Sequence, residues 1–387
     1  MSGYLDYRQC LAVFSPNVES KHRYLPTLDG WRAIAISMVV LSHALTTESV
    51  RDGSGSFINL LTFRLGTFGV ILFFAISGYL ICTRLLVEEE TYGFISLRSF
   101  YIRRAFRILP AAYAYLALIA FLAAAGLIAV SKVDLWRAAL FYSNYVPPNS
   151  WFVGHFWSLA IEEHFYLLWP PILVVAGRRR ALWACVTLIV VSLVLRVLAT
   201  QDLPEGSDLP GYTQFRLDAF MAPCILAILL RNAERAKRFA NAMKPWVWIG
   251  VIGILVGGIA LGVVFPDWRD PQRALQSAVL PVLIATTVLR PNDWFARLLQ
   301  MRPIEYLGRI SYGVYLWQQL VFGLPFFPGL HKGAWPRTLM EVALILILAA
   351  ATQRWIEEPM IALGRKTSAR FHRPVPGKDV PDTDMAA

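Results

Sequence analysis

The chain has 387 residues, of which 56% are hydrophobic and only 16% are charged, and its formal net charge is +11. Soluble domains average about 25% charged residues, so this composition, with its repeated long apolar runs, indicates a polytopic α-helical membrane protein. Basic residues collect in the cytoplasmic loops of such proteins, so the positive charge does not indicate a nucleic-acid partner. The four cysteines show no metal-binding spacing, and we expect no metal site.

Ten apolar segments follow one another along the chain. The predicted spans are residues 28–47, 65–86, 108–130, 156–176, 181–199, 213–231, 246–265, 274–290, 304–324 and 338–356. We expect Pro359 to end the last of them. The aromatic, proline-broken stretch 135–155 is expected to lie at the surface or to form a re-entrant segment. This all-α architecture predicts a multi-pass protein of the cell (inner) membrane, surrounded by the lipid bilayer.

The loops between these spans differ in basic residues. With the N-terminus inside, the inside segments hold 24 Lys and Arg and the outside segments hold 8, which places both termini in the cytoplasm. The chain is therefore divided into a cytoplasmic N-terminal tail (1–23), a membrane domain (24–362) and a disordered cytoplasmic tail (363–387).

Arg32 and His43 are two of the ionisable side chains of the first span. Their separation of eleven residues is close to three helical turns, so both lie on one face, about 16 Å apart along the axis. If Arg32 lies near one membrane surface, His43 is held well inside the bilayer, where an ionisable residue is costly and indicates function. An interfacial arginine plus a hydrogen-bonded structural histidine is an equally good interpretation of this pair alone.

A basic pair, Arg104 and Arg107, lies immediately before the third span, at its cytoplasmic start. Three residues apart on a helix, they are neighbours on one face at the cytoplasmic boundary. Two guanidinium groups so placed can bind a phosphate or diphosphate through paired hydrogen bonds. Ordinary positive-inside anchoring is the more common explanation of such a pair.

The fourth span contains Glu162, Glu163 and His164 in succession. Glu162 is expected about 9 Å below the outer end of this span. Exposing two adjacent carboxylates to lipid would cost much free energy, so protein or water must surround this segment. A buried structural ion pair is the alternative to a functional site.

Arg216 and Asp218 stand at the outer end of the sixth span. Two residues apart, they do not face each other on a helix, so each is expected to have a partner on another span. In the predicted topology they reach the same outer half of the membrane as His43 and Glu162. Four charges from three spans at one depth favour a polar cavity over scattered anchors.

Taken in order and with their spacing, six motifs resemble the acyltransferase-3 family of integral-membrane O-acyltransferases, over roughly residues 24–362. The motifs are Leu28–Arg32 with ten residues before His43, Gly69–Ile81, Arg104–Pro110, Trp157–Tyr166, Arg216–Asp218 and Ile310–Trp317. The resemblance implies an acyl-CoA donor reached from the cytoplasm and a hydroxyl acceptor on a sugar, glycan, glycolipid or macrolide. It also implies that His43 is essential, that Arg32, Arg104 and Arg107 serve the donor, and that Glu162 belongs to the active site.

Two positions depart from the family's usual pattern. His164 stands where family members often have glutamine, and Gln318 follows Trp317 where they often have histidine. Any role of the histidine that family members often have at the position of Gln318 is therefore absent in this chain or performed by another residue.

The resulting hypothesis is a membrane O-acyltransferase that uses acyl-CoA, most simply acetyl-CoA, as co-substrate and binds no resident cofactor. Neutral His43 would take the proton of the acceptor hydroxyl, and Glu162 would orient the imidazole. An acylated His43 remains a second route. Trp157, Arg216 and Asp218 would line the acceptor pocket.

A proton-coupled transporter or glycolipid flippase is the alternative function, since ionisable residues inside a membrane also build proton relays. Transporters usually show repeat symmetry with interrupted helices in matching halves, and the sequence shows no such pairing. Use of acetyl-CoA, rather than uptake driven by an ion gradient, would separate the two functions.

Overall fold

The computed structural model describes residues 25–52, 55–146, 150–201, 209, 211–265, 269–324 and 335–371. Within these ranges the chain is helical and contains no β-strand. The α-helices are α1 (Pro26–Asp52), α2 (Gly55–Tyr92), α3 (Leu97–Ala124), α4 (Lys132–Ala139), α5 (Phe156–Gln201), α6 (Leu217–Leu229), α7 (Ala233–Ala242), α8 (Pro245–Val264), α9 (Arg269–Leu289), α10 (Trp294–Leu299), α11 (Arg302–Arg309), α12 (Ser311–Gly323), α13 (Trp335–Thr352) and α14 (Glu358–Ala369). Short 3₁₀ turns precede α5 (Trp151–Val153) and α6 (Thr213–Phe215), and a π-helical turn (Gln353–Glu357) joins α13 to α14.

Among the described residues, six helical segments are long and apolar enough to cross a membrane. A seventh crossing is possible if α7 and α8, which meet at an angle of 78°, form one broken span. This supports a multi-pass membrane protein but does not confirm the ten predicted spans. Each predicted span overlaps a helix, and the difference lies in where those helices join or break.

Two local breaks explain much of that difference. The predicted spans 156–176 and 181–199 fall in α5, which has 46 residues and would measure about 69 Å if straight, more than twice the hydrocarbon thickness of a membrane. Gly177, with φ 67° and ψ 166°, interrupts the helical backbone between them. The predicted span 304–324 is divided into α11 and α12 at Ile310, and α6 has only 13 residues.

The core of the protein forms around α2, whose apolar stretch is 83% buried. It packs on α1, α6 and α9, and its Leu72, Ala75 and Cys82 are fully inaccessible to solvent. Phe74 of α2 stacks on Phe220 of α6 with ring centroids 4.6 Å apart. A helix that is apolar on all faces belongs at the centre of a bundle, as α2 does here.

The C-terminal region continues as a helix beyond the predicted last span. We expected Pro359 to end that span, but Pro359 lies in the first turn of α14, where a helix does not need the N–H that proline lacks. Residues 363–369, placed by the sequence in the C-terminal tail, are therefore helical, and residues 372–387 lie outside the described part. The predicted N-terminal tail, 1–23, lies outside it as well.

Candidate functional site

Four predicted site residues line one cavity between α1, α2, α3, α5 and the α11–α12 region, which we call cavity A. Arg32, Arg104, Arg107 and Glu162 all contribute to its wall, and it encloses about 800 Å³ including its mouth. Its other lining residues are Val70, Phe73, Phe74, Ser77, Ile108, Ser158, Leu159, Tyr166, Gly308, Arg309, Ser311, Tyr312 and Tyr315. The predicted donor residues and one predicted catalytic residue thus share a single cavity.

Glu162 is held in cavity A by hydroxyl groups. The hydroxyls of Ser77 and Tyr166 both donate hydrogen bonds to its Oε1, and the Tyr166 hydroxyl also lies 3.0 Å from Ser77 Oγ. The guanidinium of Arg104 lies over the Tyr166 ring, 4.8 Å from its centroid. Hydroxyl donors and a nearby guanidinium thus surround the Glu162 carboxyl group, and the other charged residues of this wall are all arginines.

Arg32 is fixed at the end of cavity A nearest the start of α1. Its Nη1 donates to Asp29 Oδ1 over 2.6 Å, one helical turn away. The backbone of Asp29 packs so closely on α11 that a Cβ at Gly308 would lie 1.8 Å from the Asp29 carbonyl oxygen. The Gly308 position therefore requires glycine, because this contact sets the spacing between α1 and the α11–α12 corner.

A second cavity, cavity B, adjoins cavity A through Arg104 and Arg107, which line both. It encloses about 570 Å³ and lies between the end of α2, the start of α3 and helix α14. Phe100 and Ile361 form part of its apolar wall. The two cavities thus meet at the basic pair that the sequence analysis singled out.

His43 lies in a different environment, farther along α1. Its Nδ1 is 3.1 Å from Oε1 of Gln318 on α12, and its ring contacts the Trp151 ring edge-on with centroids 5.3 Å apart. A carbonyl oxygen only accepts hydrogen bonds, so this contact is a hydrogen bond in the tautomer that carries its proton on Nδ1. In that tautomer Nε2 is the unprotonated ring nitrogen.

The expected contact between His43 and Glu162 is not the one the structure shows. Gln318 holds the imidazole, whereas Glu162 accepts from Ser77 and Tyr166. The prediction used depth in the membrane alone, and two residues at similar depth can face different neighbours. Gln318, noted in the sequence only as a departure from the family pattern, therefore takes the orienting position that we had assigned to Glu162.

A second histidine near this region escaped the sequence analysis. His155, just before α5, is 2% exposed, and both its backbone N–H and its ring Nδ1 contact Oε1 of Gln319. Its carbonyl accepts from Tyr315, whose hydroxyl also contacts Ser158 in the wall of cavity A. The available signal was the pair Gln318–Gln319, since two adjacent amides inside an apolar helix need polar partners.

The three predicted acceptor residues lie elsewhere. Asp218 forms a buried ion pair with Arg196 of α5, at 2.8 Å, which confirms the expected partner on another span. Arg216 is also buried, and its Nη1 has no hydrogen-bond partner among the described residues. Trp157 packs against Gly211 in the segment before α6. None of the three is among the described residues that line cavities A and B, so the acceptor pocket remains a prediction.

Polar groups elsewhere in the described part do not assemble a metal site. Within the described ranges, no group of three or more His, Cys, Asp or Glu side chains is arranged to hold a metal ion. His164, the other departure from the family pattern, bonds through Nδ1 to the Thr213 hydroxyl over 2.7 Å. That contact joins α5 to the turn before α6 and gives His164 a structural role.

Comparison with known proteins identifies the family. Residues 25–352 match the acyltransferase-3 model, described as an acyltransferase domain. The chain is 27% identical over 366 residues to "Peptidoglycan O-acetyltransferase OatA" of Listeria monocytogenes, covering 87% of this chain and 56% of that protein. It is 28% identical over 388 residues to "Putative peptidoglycan O-acetyltransferase YrhL" of Bacillus subtilis, covering 90% of this chain and 57% of that protein.

The chain thus spans somewhat more than half the length of these curated relatives. No solved structure is significantly similar to it. The family model covers most of the chain and includes every residue of the sequence motifs, among them Arg32, His43 and Glu162. This chain belongs to the acyltransferase-3 family.

Proposed function

We propose that the protein is a membrane O-acyltransferase that moves an acetyl group from acetyl-CoA to a hydroxyl of a carbohydrate acceptor. The observation that carries this proposal is cavity A, where Arg32, Arg104 and Arg107 meet around Glu162. Family membership and the names of the relatives support the reaction type. The glycan acceptor is proposed from those relatives, whose names specify peptidoglycan O-acetylation.

The donor is proposed from charge. Coenzyme A carries a diphosphate and a 3′-phosphate, and phosphates are bound best by guanidinium groups in pairs. Arg104 and Arg107 lie where cavities A and B meet and so can hold the diphosphate. Under the positive-inside expectation this end of the bundle faces the cytoplasm, where acyl-CoA is made.

The chemistry is proposed for His43. Nε2 takes the proton of the acceptor hydroxyl as the oxygen attacks the thioester carbonyl and the new C–O bond forms. The C–S bond then breaks, and the coenzyme A thiolate takes the proton back from the imidazolium. Gln318 keeps Nδ1 protonated throughout, so a single tautomer is ready to act as base. Direct acylation of His43 is the alternative sequence of steps.

Glu162 has a supporting role in this scheme. Glu162 lies one helical turn after Ser158 on the same face of α5, and both line cavity A together with the arginines. Ser158 in turn contacts the hydroxyl of Tyr315, which donates a hydrogen bond to the carbonyl of His155. Glu162 offsets part of the positive charge of cavity A and helps to orient Arg104 through Tyr166. We place it in the catalytic unit as a positioning residue.

The test is acetyl transfer by purified protein in lipid vesicles. Acetyl-labelled CoA and peptidoglycan fragments are supplied, and both labelled glycan and released thiol are measured. The proposal expects thiol release that increases with acceptor and label that appears as an O-ester. Uptake driven by an ion gradient, without consumption of acetyl-CoA, would instead identify a transporter. Mass spectrometry of surface glycans with and without the gene identifies the natural acceptor.

A further inference from the structure

Cavity B is strongly basic. Five arginines line it, with a single acidic residue among the described residues of its wall: Arg84, Arg103, Arg104, Arg107, Arg365 and Glu88. Glu88 forms an ion pair with Arg103 at 3.0 Å and also accepts from the backbone N–H of Ser96. The one carboxylate of this wall is therefore engaged by the arginine beside it, and the cavity favours an anionic ligand.

One of these arginines comes from a part of the chain beyond the match to the family model. Arg365 lies on α14, whereas the model match ends at residue 352. The helix docks tightly on α3, because a Cβ at Gly364 would lie 2.6 Å from Phe106 Cβ. Its end is held by the guanidinium of Arg98, 4.0 Å from the centroid of the Phe371 ring. These two contacts flank Arg365 and fix its position at the cavity wall.

The arrangement of the two cavities determines in which orientation coenzyme A would bind. In the proposed reaction the acyl end of the donor enters cavity A, and the diphosphate lies at Arg104 and Arg107, where the cavities meet. Coenzyme A carries its remaining phosphate on the ribose, beyond the diphosphate and away from the acyl end. Cavity B is the space that this end of the molecule must occupy.

Resting on the proposed function, we infer that cavity B binds the phosphorylated ribose of coenzyme A and that Arg365 contacts its 3′-phosphate. Helix α14 is then a specificity element that distinguishes coenzyme A from donors with the same thioester and diphosphate but no 3′-phosphate. Arg365 is a ligand-binding residue, not a catalytic one, because the reacting carbonyl lies at the other end of the donor.

The experiment compares the binding of coenzyme A and 3′-dephospho-coenzyme A to the purified full chain. Wild-type protein should bind coenzyme A at least about tenfold more tightly than 3′-dephospho-coenzyme A, because the dephospho form lacks the phosphate that accepts a charge-assisted hydrogen bond. Arg365→Ala should weaken coenzyme A binding to the level of the dephospho form and leave the affinity for that form unchanged. Arg365→Lys should keep part of the preference, since lysine supplies charge without the planar fork.

Lys366→Ala is the matched control, because it removes one positive charge from the neighbouring, exposed position. It should keep the full preference for coenzyme A. Unchanged binding of 3′-dephospho-coenzyme A also shows that Arg365→Ala is folded. Equal affinities of the wild type for both ligands, or equal weakening of both by Arg365→Ala, would overturn the assignment and leave the donor proposal standing. Wild-type protein that binds neither ligand would overturn the donor proposal as well.

Discussion

The arginine-lined cavities and the histidine–glutamine region handle charge in opposite ways. Around cavities A and B, guanidinium groups outnumber carboxylates, and the wall favours added negative charge. Around His43 and His155, each imidazole is held by a neutral amide, Gln318 or Gln319. The first region has the charge to bind an anion, and the second offers each imidazole a neutral hydrogen-bond partner.

The separation of these regions follows from a single helix. Arg32 and His43 lie on one face of α1, about 16 Å apart along its axis, and each belongs to a different region. Under the proposed function, donor recognition and proton transfer can therefore be disturbed independently. Substitutions in each region test that independence.

His43→Ala should lower acetyl transfer about 100- to 10,000-fold, since this is the usual cost of losing a general base. The protein should still insert and fold, because the side chain is only half-buried. Initial rates with labelled acetyl-CoA measure the loss, and size-exclusion chromatography in detergent checks folding. Transfer near the wild-type rate would remove His43 from the mechanism.

Arg104→Ala and Arg107→Ala should each weaken binding of coenzyme A by about 1.5–3 kcal/mol, the value of a charge-assisted hydrogen bond. Lysine at either position should restore only part of the affinity, because it cannot bind phosphate bidentately. Titration calorimetry measures both. Arg354→Ala is the control, since that exposed arginine pairs only with the exposed Glu358 among the contacts described for it. Unchanged affinity for coenzyme A in both Arg104→Ala and Arg107→Ala would show that these arginines only anchor the helix at the membrane surface.

Glu162→Gln should reduce transfer in wild-type protein but have little effect in the His43→Ala background. Residues that serve one catalytic event are strongly non-additive, so the second loss removes little that remains. A double-mutant cycle on the transfer rate measures this. If the fold-reduction in transfer rate of the double variant equals the product of the two single fold-reductions, Glu162 and His43 work separately, and Glu162 belongs only to donor binding.

Gln318→Leu should lower the maximal transfer rate about tenfold while leaving the affinity for acetyl-CoA unchanged, because the tautomer of His43 is no longer fixed. Gln318→Glu should move the acid limb of the pH–rate profile to higher pH, since a carboxylate beside the ring favours the protonated imidazole, which is not a base. The profile of each variant is measured from pH 5 to 9. A merely structural Gln318 would lower the rate equally at every pH.

Much of the fold could be predicted from the sequence. Every predicted span overlaps a helix, because a long apolar run inside a membrane must satisfy its backbone hydrogen bonds locally. The break at Ile310 and the length of α6 could not be predicted, since tertiary packing decides where a helix ends. The continuation through Pro359 was missed because a proline was interpreted as a stop rather than as a first-turn residue.

The candidate site also contains residues that could be predicted from the sequence and residues that could not. Arg32, Arg104, Arg107 and Glu162 were found from charge within apolar segments, and they meet in cavity A. The partners of the histidines were not found, because Gln318 lies 275 residues from His43 along the chain and only packing brings them together. Helical spacing fixes depth and face within one helix, but it does not fix which neighbouring helix that face meets.

Parallel titration of coenzyme A against His43→Ala and Arg107→Ala, with transfer rates at saturating donor, tests the separation of the two regions most directly. His43→Ala is expected to bind coenzyme A with wild-type affinity but to transfer almost no acetyl group. Arg107→Ala is expected to bind coenzyme A weakly yet to transfer at close to the wild-type rate once saturated. Equal weakening of coenzyme A binding in both variants would show that the two regions form one site and do not have separate roles.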